Sequence, residues 1–136
     1  MKQYLLTAFT AVTLCCIYSC KKNITTETPV AIINITAPSE GGLVNMNDSV
    51  SITGSVIVSN TAPAAQTLHG YDVVIRKAGD TTKLFFTHVH AHGSSLVINH
   101  KWFNDQATNT QLQLETKVYT DHDGNSISKF VRFASN

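Results

Sequence analysis

Residues 111–134 read QLQLETKVYTDHDGNSISKFVRFA. Leu112, Leu114 and Val118 keep one phase of a period of two across 111–120, the spacing that puts side chains on one face of a pleated strand. Residues 121–125, DHDGN, then supply the aspartate, glycine and asparagine that tight turns require, because these residue types accept left-handed backbone or cap it locally. A second alternating run, SISKFVRFA at 126–134, follows at once. The stretch predicts two antiparallel strands closed by a short turn.

The same pattern extends upstream. VAIINITAP (30–38) predicts a strand that closes at Pro38, and a turn around Glu40, Gly41 and Gly42 precedes a short extended piece at Leu43–Asn45. SVSITGSVIVS (49–59) holds Val50, Ile52, Gly54, Val56 and Val58 in one phase, and TAPAAQ (61–66) reads as a loop. LHGYDVVIRKA (68–78) predicts a strand with Tyr71, Val73 and Ile75 facing one way, GDTT (79–82) a turn, and KLFFTHVHA (83–91) a strand. SSLVINHKW (94–102) predicts another strand, and FNDQATNT (103–110) a loop containing a helical turn. Turn residues punctuate the chain about every eight to twelve positions and no helical stripe occurs, so the expectation is an all-β, two-sheet Greek-key sandwich of seven or eight antiparallel strands.

Two segments carry a resemblance. ITAPSEGGLVNMNDSVSITGSV (35–56) resembles the opening of bacterial immunoglobulin-like domains, and VYTDHDGNSISKFVRF (118–133) resembles their closing hairpin, with Asp121, Gly124 and Asn125 matching its turn. LHGYDVVIRKAGDTTKLFFTHVHAHG (68–93) is similar to a segment of small immunoglobulin-like lipoproteins. The resemblance implies an immunoglobulin-like fold for residues 30–136. These motifs specify turns and imply no reaction.

The chain opens MKQYLLTAFTAVTLCCIYSCKK, with Lys2 as the one charge ahead of an apolar run that is short of the roughly 20 residues of a membrane span. It reads as a secretion signal over residues 1–19. The sequence IYSC (17–20) resembles the lipobox of bacterial lipoproteins, in which the cysteine, here Cys20, is lipidated before cleavage. Tyr18 departs from the small or aliphatic residue usual at its position. An ordinary cleaved signal or a short membrane anchor is the alternative reading. Residues 20–29 are polar and threonine-rich and end in proline, the composition of a tether. The implied location is the bacterial cell envelope, lipid-anchored, on the periplasmic face of the outer membrane, with an envelope protein as the candidate partner.

Removing Lys2 from the ten basic side chains balances the nine acidic ones. Such a domain has no broad electropositive surface, which argues against nucleic acid as a partner. Cys15 and Cys16 lie in the signal and Cys20 carries the lipid, so the mature domain has no thiol for a disulfide, for catalysis or for metal ligation. No phosphate loop, nucleophile elbow or helical metalloprotease motif is present, and the expectation is a protein that is not an enzyme. Tyr71 reads as core, Trp102 and Phe103 as an aromatic pair that plugs the sandwich end or else anchors a ligand or partner, and Lys83 and Lys101 as solvated charges on edge strands.

The chemistry that remains is histidine. His88, His90 and His92 alternate in THVHAHG (87–93), half of the six histidines in the chain. In a regular strand they share a face but stand nearly 7 Å apart, whereas nitrogens around one zinc ion lie about 3 to 3.5 Å apart, so one or two of them would need ligands from elsewhere. Immunoglobulin topology gathers His69, Asp121, His122 and Asp123 at the same pole and sends His100 to the opposite one. The candidate metal ligands are therefore His88, His90, His92, His69 and His122, a nitrogen-rich set suited to Zn, Cu or Ni rather than calcium. The competing reading is half-exposed strand-end histidines, bonded to each other or to water, on a structural or protein-interaction module.

Overall fold

The computed structural model describes residues 31–59 and 67–136. The signal segment, Cys20, the tether and the 61–66 loop lie outside the described residues. The alternating and β-branched runs form strands β1 (Ala31–Ala37), β2 (Gly42–Val44), β3 (Asp48–Val58), β4 (Tyr71–Lys77), β5 (Lys83–Val89), β6 (Ser95–Asn104), β7 (Gln111–Tyr119) and β8 (Ser126–Ser135). They build a three-stranded sheet, β1-β3-β6, and a five-stranded sheet, β2-β8-β7-β4-β5. Every pairing is antiparallel except β2 with β8, which is parallel. The chain changes sheets between β1 and β2 at a cis Ala37–Pro38 peptide. It crosses again from β2 back to β3, from β3 to β4, from β5 back to β6, and from β6 to β7. This strand order is an immunoglobulin-like Greek-key β-sandwich.

The period of two decides which side chains meet. Ile33, Val50, Ile52, Val56, Leu96, Ile98 and Trp102 face inward from the smaller sheet, against Tyr71, Val73, Ile75, Leu112, Leu114, Val118, Val131 and Phe133 from the larger. Each such side chain contributes about 1.5 to 3 kcal/mol when fully removed from water, so packing between the two inner faces is the main source of stability. Tyr71 and Trp102 are buried, but Phe103, expected to plug the sandwich end with Trp102, is 59% exposed because it falls in the outward phase of β6. Lys83 and Lys101 are exposed on the outermost strands β5 and β6, where charge discourages pairing with another chain.

Three expectations change. The helical turn within 103–110 is absent: Phe103 and Asn104 extend β6, because the buried Asn104 side chain donates to Asn45 O and to Ser135 Oγ, both at 2.9 Å. His100 consequently lies in mid-strand opposite Ile52 instead of at a pole. The strand expected over 83–91 ends at Val89, so His90 and His92 leave the pleat and the three alternating histidines do not line one face. Leu84 and Phe85 both pack toward the core, since the β4–β5 register shifts between Ile75 and Arg76.

Thr116 is fully buried on the inner face of β7 and its Oγ1 has no hydrogen-bond partner. An unpaired buried hydroxyl is unfavourable, whereas valine has the same shape without the polar atom. Thr116→Val is expected to raise stability by about 1 kcal/mol, measured as a higher urea midpoint at an unchanged slope.

Candidate metal centre

The histidine pole is organised by a three-residue stretch of backbone. Leu68 N donates to Gly93 O at 2.8 Å, His69 N donates to Tyr119 O at 2.9 Å, and Tyr119 N returns a bond to Gly70 O at 3.0 Å. Residues 68–70 thus join the segment after β5 to the end of β7. Gly70 has φ +115, and a Cβ there would stand 2.2 Å from Val89 O, so only glycine allows the approach. His69 is thereby held between His92, next to Gly93, and His122, just beyond Tyr119.

Three ligand-capable nitrogens, one each from His69, His92 and His122, lie within 4.8 Å of one another. The His69 ring centroid is 3.9 Å from that of His122 and 4.8 Å from that of His92. Nδ1 of His69 is shielded from solvent and has no hydrogen-bond partner. His90 adjoins the group through an Nε2 to Nε2 hydrogen bond of 3.1 Å to His92, one ring donating and the other accepting. The site gains no carboxylate from Asp121. That side chain caps the 121–125 turn, accepting from the backbone N–H of Asp123 and Asn125 and from Asn125 Nδ2.

His88 stands apart from this group. It faces outward on β5 opposite Asp72, and its Nδ1–H donates to Asp72 Oδ1 at 2.6 Å. The Tyr119 hydroxyl donates to the other oxygen, Oδ2, at 2.7 Å. The geometry therefore brings together His69, His92 and His122, places His90 against them, and gives His88 a separate partner. Asp72 and Tyr119 were missed by motif reading. Their phase in β4 and β7, on the outward side beside the exposed face of β5, is the signal that could have found them.

Crowding sets the electrostatics. The His69 pKa is lowered below 6.5, first by desolvation and then by His122 and His92, while Asp121 pulls the other way. His100 is also lowered, by burial, where its Nε2 lies 3.0 Å from the Tyr71 hydroxyl. Since that hydroxyl donates its hydrogen to Val97 O at 2.9 Å, His100 Nε2 is the donor in the second bond. Asp121 is lowered, chiefly by its bond from the Asn125 side chain.

No family model matches the chain, and no curated protein does. Solved structures similar to it include the fibronectin(III)-like modules of Clostridium thermocellum CbhA, with TM-score 0.41 and 12% identity over 76% of this chain and 94% of that one. Murine CRIg is similar with TM-score 0.42 and 11% identity over 78% of this chain and 96% of that one. The fold assignment rests on the strand order.

Gly70→Ala is expected to cost about 2 kcal/mol or more, because the methyl group collides with Val89 O and the positive φ is strained for alanine. Its thermal midpoint measures this. His69 and His100 bind protons less readily folded than unfolded, so below about pH 6.5 the unfolded state takes up more protons. Stability is full above that value and falls as pH is lowered through it, until the folded rings protonate as well. Urea midpoints at pH 7.5 and 5.5 in a metal-free buffer check the sign, and a His69→Gln, His100→Gln double variant is expected to flatten the difference.

Proposed function

We propose that the chain is a non-enzymatic binding module of the bacterial envelope, lipid-anchored through Cys20, that binds a transition metal at the histidine pole of its immunoglobulin-like sandwich. The observation that carries the metal is the convergence of His69, His92 and His122 from three separate segments, with the Nδ1 of His69 left without a partner. Neutral imidazoles without a carboxylate suit Zn, Cu or Ni, the ions that favour nitrogen ligands. What the protein contributes is placement: Gly70 and the bonds beside it bring His69 to the other two rings, and the Asp121 cap holds the turn that carries His122.

A structural or protein-interaction module is the second reading, and the fold supports it directly. Exposed Ile32, Ile57 and Val97 lie in adjacent positions on the outer side of the three-stranded sheet, an apolar surface of the kind that contacts partners. The two readings are compatible if the metal pole and the sheet face act on different partners. Both keep the lipid anchor, for which the support is the IYSC motif at 17–20 after an apolar signal-like run.

Calorimetric titration of the chain from residue 21 with Zn(II) and Cu(II) tests the metal. One ion per chain is expected to bind more tightly than about 0.1 mM, the range of scattered surface histidines at roughly 5.5 kcal/mol. Binding is expected to vanish in a His69→Ala, His92→Ala, His122→Ala variant whose melting stays cooperative. Failure of the wild-type chain to bind would leave the interaction module as the function. For the anchor, Cys20→Ser is expected to move the protein from the membrane fraction to the soluble fraction of a bacterial host.

A further inference from the structure

We infer that the metal centre is a four-imidazole site in which His90 is the exchangeable fourth ligand, and that His88 takes no part in it. This rests on the metal reading of His69, His92 and His122 and goes beyond it by assigning the remaining position. Three protein nitrogens leave a tetrahedral ion one ligand short, and the fourth is water, a partner's group or another side chain. His90 Nε2 lies 3.1 Å from His92 Nε2, about the separation of two nitrogens on one zinc ion. The two rings must turn from facing each other to facing a common ion.

The hydrogen bond between His90 and His92 is what the ion replaces. In the metal-free chain one Nε2 carries the hydrogen and the other accepts it. For both to ligate through Nε2, the donating ring must take the tautomer with hydrogen on Nδ1. The hydrogen leaves Nε2 to solvent and another is taken up at Nδ1, so neutral rings bind the ion with no net proton release. His90 has the freedom this requires: β5 stops at Val89, His90 is exposed, and the next backbone tie is the Leu68–Gly93 bridge. His69 has the opposite character, since its backbone is tied to Tyr119 and its Nδ1 is shielded.

His88 is set apart by position: among the described residues its ring meets Tyr119 and no other histidine, and it lies outside the group of close nitrogens. Its Nδ1–H is held by Asp72, whose second oxygen is held by Tyr119, and its ring centroid lies 6.1 Å from that of Tyr119 on the outer face of the sheet. A site with one half-buried ligand, His69, and exposed rings at His90, His92 and His122 fits an ion that is loaded and passed on. Sites that use metal to hold a fold are closed and fixed on all four sides.

X-ray absorption of the zinc-loaded chain from residue 21, with competition titrations against a chromophoric chelator, tests the assignment. Four imidazoles are expected in the wild type. His90→Ala is expected to bind one zinc with three imidazoles and an oxygen, weakened by at least the roughly 10- to 100-fold that loss of an outer partner costs. His88→Ala is expected to match the wild type in both. A His90→Ala protein with unchanged affinity and unchanged imidazole count would overturn the inference while leaving the three-histidine site standing. Loss of an imidazole in His88→Ala, and not in His90→Ala, would overturn it as well. A wild-type chain that binds no zinc would overturn the metal reading itself, and cooperative melting of each variant shows that it is folded.

Discussion

Residues 68–70 are bonded on two sides at once, to Gly93 and to Tyr119, and the histidine pole depends on this junction. The approach is possible because Gly70 has no Cβ: the carbonyl oxygen of Val89 occupies the place where one would stand. Widening the gap by a methyl group would separate the start of β4 from the end of β5. His69 would then move away from His92, while the remainder of the sandwich kept its inner faces. A backbone contact that serves folding also sets the spacing of the side chains that carry the chemistry.

The two poles of the sandwich are finished by different means. At the end where β6 and β8 stop, Asn104 donates to Asn45 O and Ser135 Oγ, and Ser135 Oγ donates to Gln106 O at 2.8 Å. Every donor in that group has an acceptor, as expected where polar groups are buried for structure. At the opposite end the polar groups are imidazoles, and one shielded nitrogen among them lacks a partner. An unsatisfied group of this kind is unfavourable, and any ligand that bonded to it would relieve the cost.

The six histidines divide by their surroundings. His100 is a half-buried core residue bonded to Tyr71. His88 is oriented by a carboxylate that also receives a tyrosine hydroxyl. His69, His90, His92 and His122 form a chain of ring contacts, with the Asp121 carboxylate near enough to act on His69 while it caps its own turn. Proton binding to His69 is resisted, first by desolvation and then by His122 and His92, which favours its neutral form with a lone pair free to accept a bond.

The alternation of Leu112, Leu114 and Val118, and of Val50, Ile52 and Val56, was sufficient to determine strands, their buried face and hence a sandwich, because a period of two reports burial directly. The turn residues at 121–125 determined the last hairpin for the same local reason: Asp121 caps a backbone only a few residues away. The sequence named His69, His90, His92 and His122 together with His88; which of the five meet was decided by tertiary structure. Regular spacing grouped His88 with His90 and His92, yet the strand ends after Val89. That ending, the approach at Gly70 and the Asp72 carboxylate opposite His88 depend on contacts between distant segments. Local sequence carries the rule for which face is buried; which side chains meet at the end of a sandwich follows from strand length and register, and those are set by the partner strands.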